Sequence, residues 1–168
     1  ESVTKWLKAK GHASIVAGTG VGKTFIAIKA IQRMRKRYPE LNVLVLVPTS
    51  ALQSQWIEKL TENDVLRNTT VQVMMGASQR KYECDLLIID ECHRINSEVL
   101  SNVFNVVKYK AILGLTATFE RLDGRDRILA KYAPVCDEIP IEVAMANGWV
   151  SPYKDYIVIL DVPDIAIY

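Results

Sequence analysis

The chain has 168 residues, 49% of them hydrophobic and 24% charged, and its 21 Lys and Arg against 19 Asp and Glu leave a formal charge of +2. That composition supports one globular domain with its own core and excludes wholesale disorder, a collagen-like fibre or a low-complexity repeat. No apolar run approaches the roughly 18 to 20 residues of a bilayer span and no charged-then-apolar leader is seen, so a soluble protein, cytoplasmic by default and with no membrane partner, is expected, a nuclear or phage-encoded origin being equally compatible.

Short β-branched and apolar runs recur along the chain, and the stretches between most of them are able to form helices. The first strand is expected over residues 14–17, and a helix after Gly22 to about residue 37, with Phe25, Ile26, Ala30, Ile31 and Met34 as its inward stripe. Tyr38-Pro39 ends it, because a residue before proline is disfavoured in the α region. A strand follows over residues 43–47, then a helix over 50–60 with Ser50 as its cap and Leu52, Trp56 and Leu60 on one face. Further strands are expected at residues 70–74, 86–90, 111–115 and, more weakly, 137–139. From about Pro140 the pattern changes: residues 148–152 read as a turn or linker, and 156–160 as another strand. Several strands are apolar almost throughout rather than alternating, as in a mostly parallel sheet covered on both faces, so the fold class is a wound α/β domain.

The strongest local signal is the run from Ala17 through Gly18, Thr19, Gly20, Val21, Gly22 and Lys23 to Thr24, placed between a strand and a helix. Glycines allow a tight anion-wrapping loop, successive backbone N–H groups face phosphate oxygens, and the following helix adds its positive end. Lys23 can reach the outer phosphates and Thr24 can offer a hydroxyl to Mg²⁺. Ala17 stands where the usual P-loop pattern has glycine, a small mismatch if that position is still strand.

Asp90 and Glu91 end an apolar strand, where an aspartate can hold Mg²⁺ and the adjacent carboxylate can position water or take its proton. The competing reading is an acidic pair that caps a helix or faces solvent. His93 follows closely, able either to sense an occupied γ-phosphate site or to make a local structural hydrogen bond. Cys84, Cys92 and Cys136 are odd in number and lack metal-site spacing, against both a disulfide scaffold and a structural zinc. Cys92 reads as a packed residue, since its acidic neighbours disfavour a thiolate.

With the P-loop, the run Val45-Leu46-Val47-Pro48-Thr49, the sequence Asp90-Glu91-Cys92-His93 and Leu115-Thr116-Ala117-Thr118 in this order, the chain resembles the first RecA-like, P-loop NTPase motor domain of superfamily 2 helicases and translocases. The extension from Gly114 to Gly124 resembles the branch of the restriction-enzyme translocases and the DNA-repair helicase XPB. The resemblance implies ATP and Mg²⁺ as cofactors and coupling of hydrolysis to movement on nucleic acid. It implies backbone contact with that nucleic acid at Pro48 and Thr49, and coupling through His93, Thr116 and Thr118. Lys23 and Glu91 are the catalytic candidates, Thr24 and Asp90 the metal-holding ones.

Residues 1–146 are then the first motor domain and 147–168 the start of a connection to a second RecA-like domain of the same parent chain. That second domain would supply arginines to the γ-phosphate, so hydrolysis by the 168 residues alone is expected to be weak or absent. Double-stranded DNA is the expected track, with RNA possible. Phe119 stands where relatives carry proline, and no glutamine precedes the P-loop to read adenine.

Arg33, Arg35, Lys36 and Arg37 read as a solvated helix end, Arg121, Arg125 and Arg127 as either remote nucleic-acid contacts or a polar surface, and Trp56 and Trp149 as packing anchors. Two other classes compete. A GTPase or nucleotide kinase is disfavoured by the missing guanine-reading NKxD. A noncatalytic ATP-binding domain for nucleic acid or protein would bind nucleotide without turnover.

Overall fold

Short runs of Val, Ile and Leu build the centre of the protein, because β-branched side chains fit a pleated surface buried on both sides. In the computed structural model, which describes residues 1–18, 20–91, 96–117 and 125–148, with the side chains of 125–127 left out, they form a six-stranded sheet. In chain order the elements are α1 (Ser2–Lys8), β1 (His12–Ala17), α2 (Lys23–Arg35), β2 (Val43–Val47), α3 (Ser50–Glu62), β3 (Thr69–Val73) and α4 (Met74–Ala77). There follow β4 (Tyr82–Asp90), α5 (Ser97–Val106), β5 (Val107–Thr116), α6 (Arg125–Tyr132), β6 (Val135–Ile139) and α7 (Ile141–Ala146). The strand order is β3-β2-β4-β5-β1-β6, and every pairing between neighbours is parallel.

The period-2 alternation of a strand sorts side chains between two cores. In β4, Leu86 and Ile88 join the layer that holds Ile28 and Ile31 of α2 and Trp56 and Leu60 of α3. Leu87 and Ile89 join the opposite layer, with Leu100 and Val103 of α5 and Leu129 of α6. Each fully buried aliphatic side chain contributes about 1.5–3 kcal/mol, so the central strands are expensive to disturb. Among the described residues no helix is long and apolar enough to cross a membrane.

The strands expected between residues 14 and 139 are present, four of the six longer than expected. β4 starts at Tyr82 and β5 at Val107, because the polar positions of 82–85 and 107–110 still pair in the ladder near the sheet's lower edge. Met74 belongs to α4 rather than to the preceding strand. The inward stripe of α2 holds at Ala30 and Ile31, which are buried, and at Ile26 and Met34, which pack partly buried against the same layer; it gains Ala27 and Ile28 and loses Phe25, which is 55% exposed. Lys23, not Phe25, occupies the inward side of the first turn, and the stripe begins from it.

Two further expectations change. Thr49 rather than Ser50 caps α3, its Oγ1 accepting the Leu52 N–H at 3.3 Å. Arg35 is no solvated helix end: its guanidinium donates to the carbonyls of Val65 (2.9 Å) and Arg67 and to Thr69 Oγ1 (2.9 Å), tying α2 to the chain entering β3. The strand expected at 156–160, the linker from 149 onward, Trp149 and Arg121 lie outside the described residues, as do the side chains of Arg125 and Arg127.

Candidate nucleotide site

The order β4-β5-β1 brings the chain leaving β1 and the chain leaving β4 to the same edge of the sheet, on either side of β5. Ligands of open parallel sheets bind at this carboxyl edge. After Ala17 the loop turns through Gly20 (φ 84°) and Gly22 (φ 93°), left-handed conformations open to glycine at little cost. Gly22 is the N-cap of α2 and has no side chain to satisfy the first helical N–H groups, which leaves them for an anion.

Lys23, the first residue of α2, is only 8% exposed. Its ammonium donates to Ala17 O at 3.1 Å and Gly18 O at 3.5 Å and pairs with Glu91 Oε1 at 3.2 Å. The ion pair spans β5, joining the two loops that the sequence marked as phosphate cradle and acid. Glu91 takes φ 49°, an uncommon conformation for a residue with a side chain and one that recurs at functional sites. The cost is borne where the carboxylate must turn toward Lys23.

Asp90, the last residue of β4, is 4% exposed. Burial pushes its carboxyl above the ordinary aspartate range, and the neighbouring Glu91 charge adds to this. Opposing both are the Trp56 indole, the Lys23 charge and the Glu91 N–H. Trp56 Nε1–H donates to Oδ2 at 2.7 Å, and the Glu91 N–H to Oδ1 at 3.0 Å. Thr24 shares a cleft of about 340 Å³ with Gly22, Phe25, Leu52 and Trp56, on the side of α2 that faces α3.

A divalent cation fits this donor set. Mg²⁺ takes hard oxygen ligands, keeps several waters and needs only one or two protein groups beside substrate phosphates. The Asp90 carboxylate retains lone pairs after its two hydrogen bonds, and the Thr24 hydroxyl lies at the head of the same helix as Lys23. By contrast the Cys84 thiol is buried in the opposite layer, its pKa pushed up to about 12 mainly by that burial, and plays no part here.

Thr116, at the end of β5, is buried beside Val16 of β1 in the ladder, one residue past Leu115, which pairs with Asp90. The expected coupling threonine therefore lies between the two halves of the site. Pro48 and Thr49 follow β2 at the same edge, Pro48 half-buried and Thr49 exposed at the cap of α3. Thr19, Cys92, His93 and Thr118 lie outside the described residues. Trp56 was expected only to pack. Its hydrogen bond to Asp90 had no signal in the spacing of Leu52, Trp56 and Leu60, which reports a helix face but not the partner across it.

The family described as "Type III restriction enzyme, res subunit" matches residues 1–81 and 66–121, which include every part of this site. The chain is 32% identical to the DNA 3'-5' translocase XPB2 of Sulfurisphaera tokodaii, over 92% of the chain and 37% of that protein. It is also 32% identical to a putative ATP-dependent RNA helicase of African swine fever virus, over 76% of the chain and 29% of that protein. The chain thus spans 37% and 29% of the length of these two curated relatives.

Among solved structures, a nuclease-deletion mutant of the type ISP restriction-modification enzyme LlaGI, in complex with a DNA substrate mimic, superposes with a TM-score of 0.71 at 17% identity, over 88% of the chain and 20% of that protein. The UvsW helicase from bacteriophage T4 superposes with a TM-score of 0.67 at 14% identity, over 82% of the chain and 57% of that protein. With a RecA-like parallel sheet, a P-loop and a strand-terminal Asp-Glu at the same edge, the chain belongs to the family of the type III restriction enzyme res subunit, a superfamily 2 helicase motor domain.

Proposed function

We propose that this chain is the ATP-binding half of a DNA translocase or helicase motor, and that the site described above hydrolyses ATP to ADP and phosphate. The observation that carries the reading is the Lys23 ammonium, held between the P-loop carbonyls and Glu91 at the uncapped start of α2. A buried cation so placed is ready to exchange a carboxylate for a phosphate, and the amides of Gly18 to Thr24 supply the rest of the cradle.

In this reading Lys23 leaves Glu91 for the β- and γ-phosphates and offsets the charge that develops during phosphoryl transfer. Glu91, released from the ion pair, orients the attacking water and accepts its proton. Thr24 and Asp90 hold Mg²⁺, which when bound neutralises phosphate charge. Thr116, Thr118 and His93 carry the nucleotide state toward the nucleic acid. Pro48 and Thr49 meet its phosphate backbone, a contact that positions without reading bases.

Residues 1–146 form the first motor domain, and 147–168 lead toward a second RecA-like domain whose arginines complete the site. The track is double-stranded DNA, in keeping with the relative named as a DNA translocase, and RNA is the competing track because the viral relatives are named as putative RNA helicases.

The test is Mg²⁺-dependent ATP hydrolysis by the parent protein without polymer and with matched double-stranded DNA, single-stranded DNA and RNA, against Lys23→Ala. Stimulation by double-stranded DNA, lost by about 100-fold or more in Lys23→Ala, is the expected result. Stimulation by RNA alone would reassign the track. Turnover no higher than that of the variant, with ATP binding intact, would instead mark a noncatalytic binding domain.

A further inference from the structure

We propose that Trp56 is a positioning residue for the metal-holding carboxylate: its indole N–H fixes the plane of Asp90 so that the remaining lone pairs face the cation. The proposal rests on the role assigned to Asp90 above. Trp56 lies 34 residues before Asp90 on a different element, is 1% exposed, and reaches Oδ2 at 2.7 Å. The Glu91 N–H holds the other oxygen at 3.0 Å. One donor on each oxygen removes rotation about the last side-chain bond.

Any buried indole needs an acceptor, so the choice of acceptor is the informative point. Trp6, equally buried, donates to the backbone carbonyl of Ile112 at 2.8 Å, the ordinary structural solution. Trp56 instead gives its proton to the carboxylate at the mouth of β4. An indole N–H only donates, so it favours the ionised acceptor that a cation requires, filling one lone pair of Oδ2 and leaving the others. Partners of this kind, which orient a ligating group without touching the metal, tune metal affinity.

The helix that carries the indole makes the arrangement rigid. α3 is capped by Thr49 and packs Trp56 and Leu60 into the core layer that also contains Ile88 of β4. Trp56 and Thr24, the other proposed metal-holding residue, both line the cleft between α2 and α3.

The experiment measures binding of a fluorescent ADP to the chain with no Mg²⁺ and across a Mg²⁺ titration. Trp56→Phe keeps an aromatic ring and removes the donor. A second variant carries 3-benzothienylalanine at position 56, in which sulfur replaces the N–H with the ring system retained, so the result does not depend on whether the Phe variant folds. Asp90→Asn serves as the reference.

In both position-56 variants the Mg²⁺ concentration for half-maximal tightening is expected to rise about 10-fold, with Mg²⁺-free affinity unchanged. A wild-type Mg²⁺ response in the benzothienyl variant would overturn the proposal. So would an equal loss with and without Mg²⁺, which marks a purely structural role. If Asp90→Asn leaves the Mg²⁺ response intact, the role of Asp90 fails and takes that of Trp56 with it. Absence of nucleotide binding by the wild type would overturn the nucleotide site itself.

Discussion

Glu91 carries two opposing demands. It is the partner that holds Lys23 at 3.2 Å, and in the proposed reaction it must release that lysine and receive a proton from water. Its left-handed backbone points to a position selected for what the side chain does rather than for local stability. Glu91→Gln keeps the shape and removes the basic oxygen. Nucleotide binding should survive, whereas hydrolysis by the parent protein should fall by about 100-fold to 10⁴-fold. Parallel binding and single-turnover measurements separate the two, and a variant that hydrolyses ATP at the wild-type rate would remove Glu91 from the mechanism.

At the scale of elements, β1 and β5 approach closely at Ser14 and Gly114. Ser14 pairs with Gly114 in the ladder and sends its hydroxyl to Ala133 O at 2.8 Å, which anchors the end of α6 to β1. A Cβ at position 114 would overlap Ser14 Oγ and press on Leu129, so glycine here is a packing requirement. Gly114→Ala should destabilise the fold by about 1–3 kcal/mol in denaturant unfolding. The same strand ends in Thr116, so a milder displacement would also register at the site.

A further tie between elements joins α1 to β6, the strand next to β1, where Lys5 reaches Asp137 at 2.6 Å. Burial pushes the Asp137 carboxyl up, but hydrogen bonds from Lys5 and Ser2 and the Lys5 charge outweigh it and hold the pKa below the usual value. Lys5 is displaced upward, first by its hydrogen bond to Asp137. A lowered carboxylate stabilises above its unfolded pKa, and a raised lysine below its own, so the tie acts between about pH 4 and pH 10. Asp137→Asn should therefore lower the melting temperature slightly near neutrality. The difference from wild type should begin to shrink below about pH 4 and vanish as the pH falls through the lowered carboxyl pKa of the folded state. A gap that persists in strong acid would assign the loss to packing instead.

For the whole molecule, one sheet edge gathers the P-loop, the Asp-Glu pair, Thr116 and the Pro48-Thr49 turn, with Lys23, the proposed phosphate-binding residue, buried among them. In the proposed reaction Lys23 is nonetheless the one basic side chain, among the described residues, assigned to the γ-phosphate. An opposing arginine contributes several orders of magnitude in related phosphoryl transfer. The 168 residues alone should thus bind ATP and turn it over weakly, even with DNA present. Robust DNA-stimulated turnover by this chain would show that its own residues complete the site.

The contiguous features were legible in the sequence because their chemistry is local. A glycine loop before a lysine and an acidic pair after four aliphatics each declare themselves within a few residues, Thr116 was marked only by the resemblance to superfamily 2 motors, and apolar runs of strand length implied a sheet buried on both faces. What tertiary structure decided was which of these meet. Phe25 and Ala27 are both apolar positions of α2, yet packing against the sheet buried Ala27 and left Phe25 exposed. Arg35 sits in a basic run indistinguishable from a solvated end until β3 places the carbonyls around it. Trp56 meets Asp90 only because parallel pairing of β2 with β4 sets α3 above the end of β4. Periodicity identifies a buried face, but the partner of a donor on that face depends on strand order and register, which only the folded chain determines.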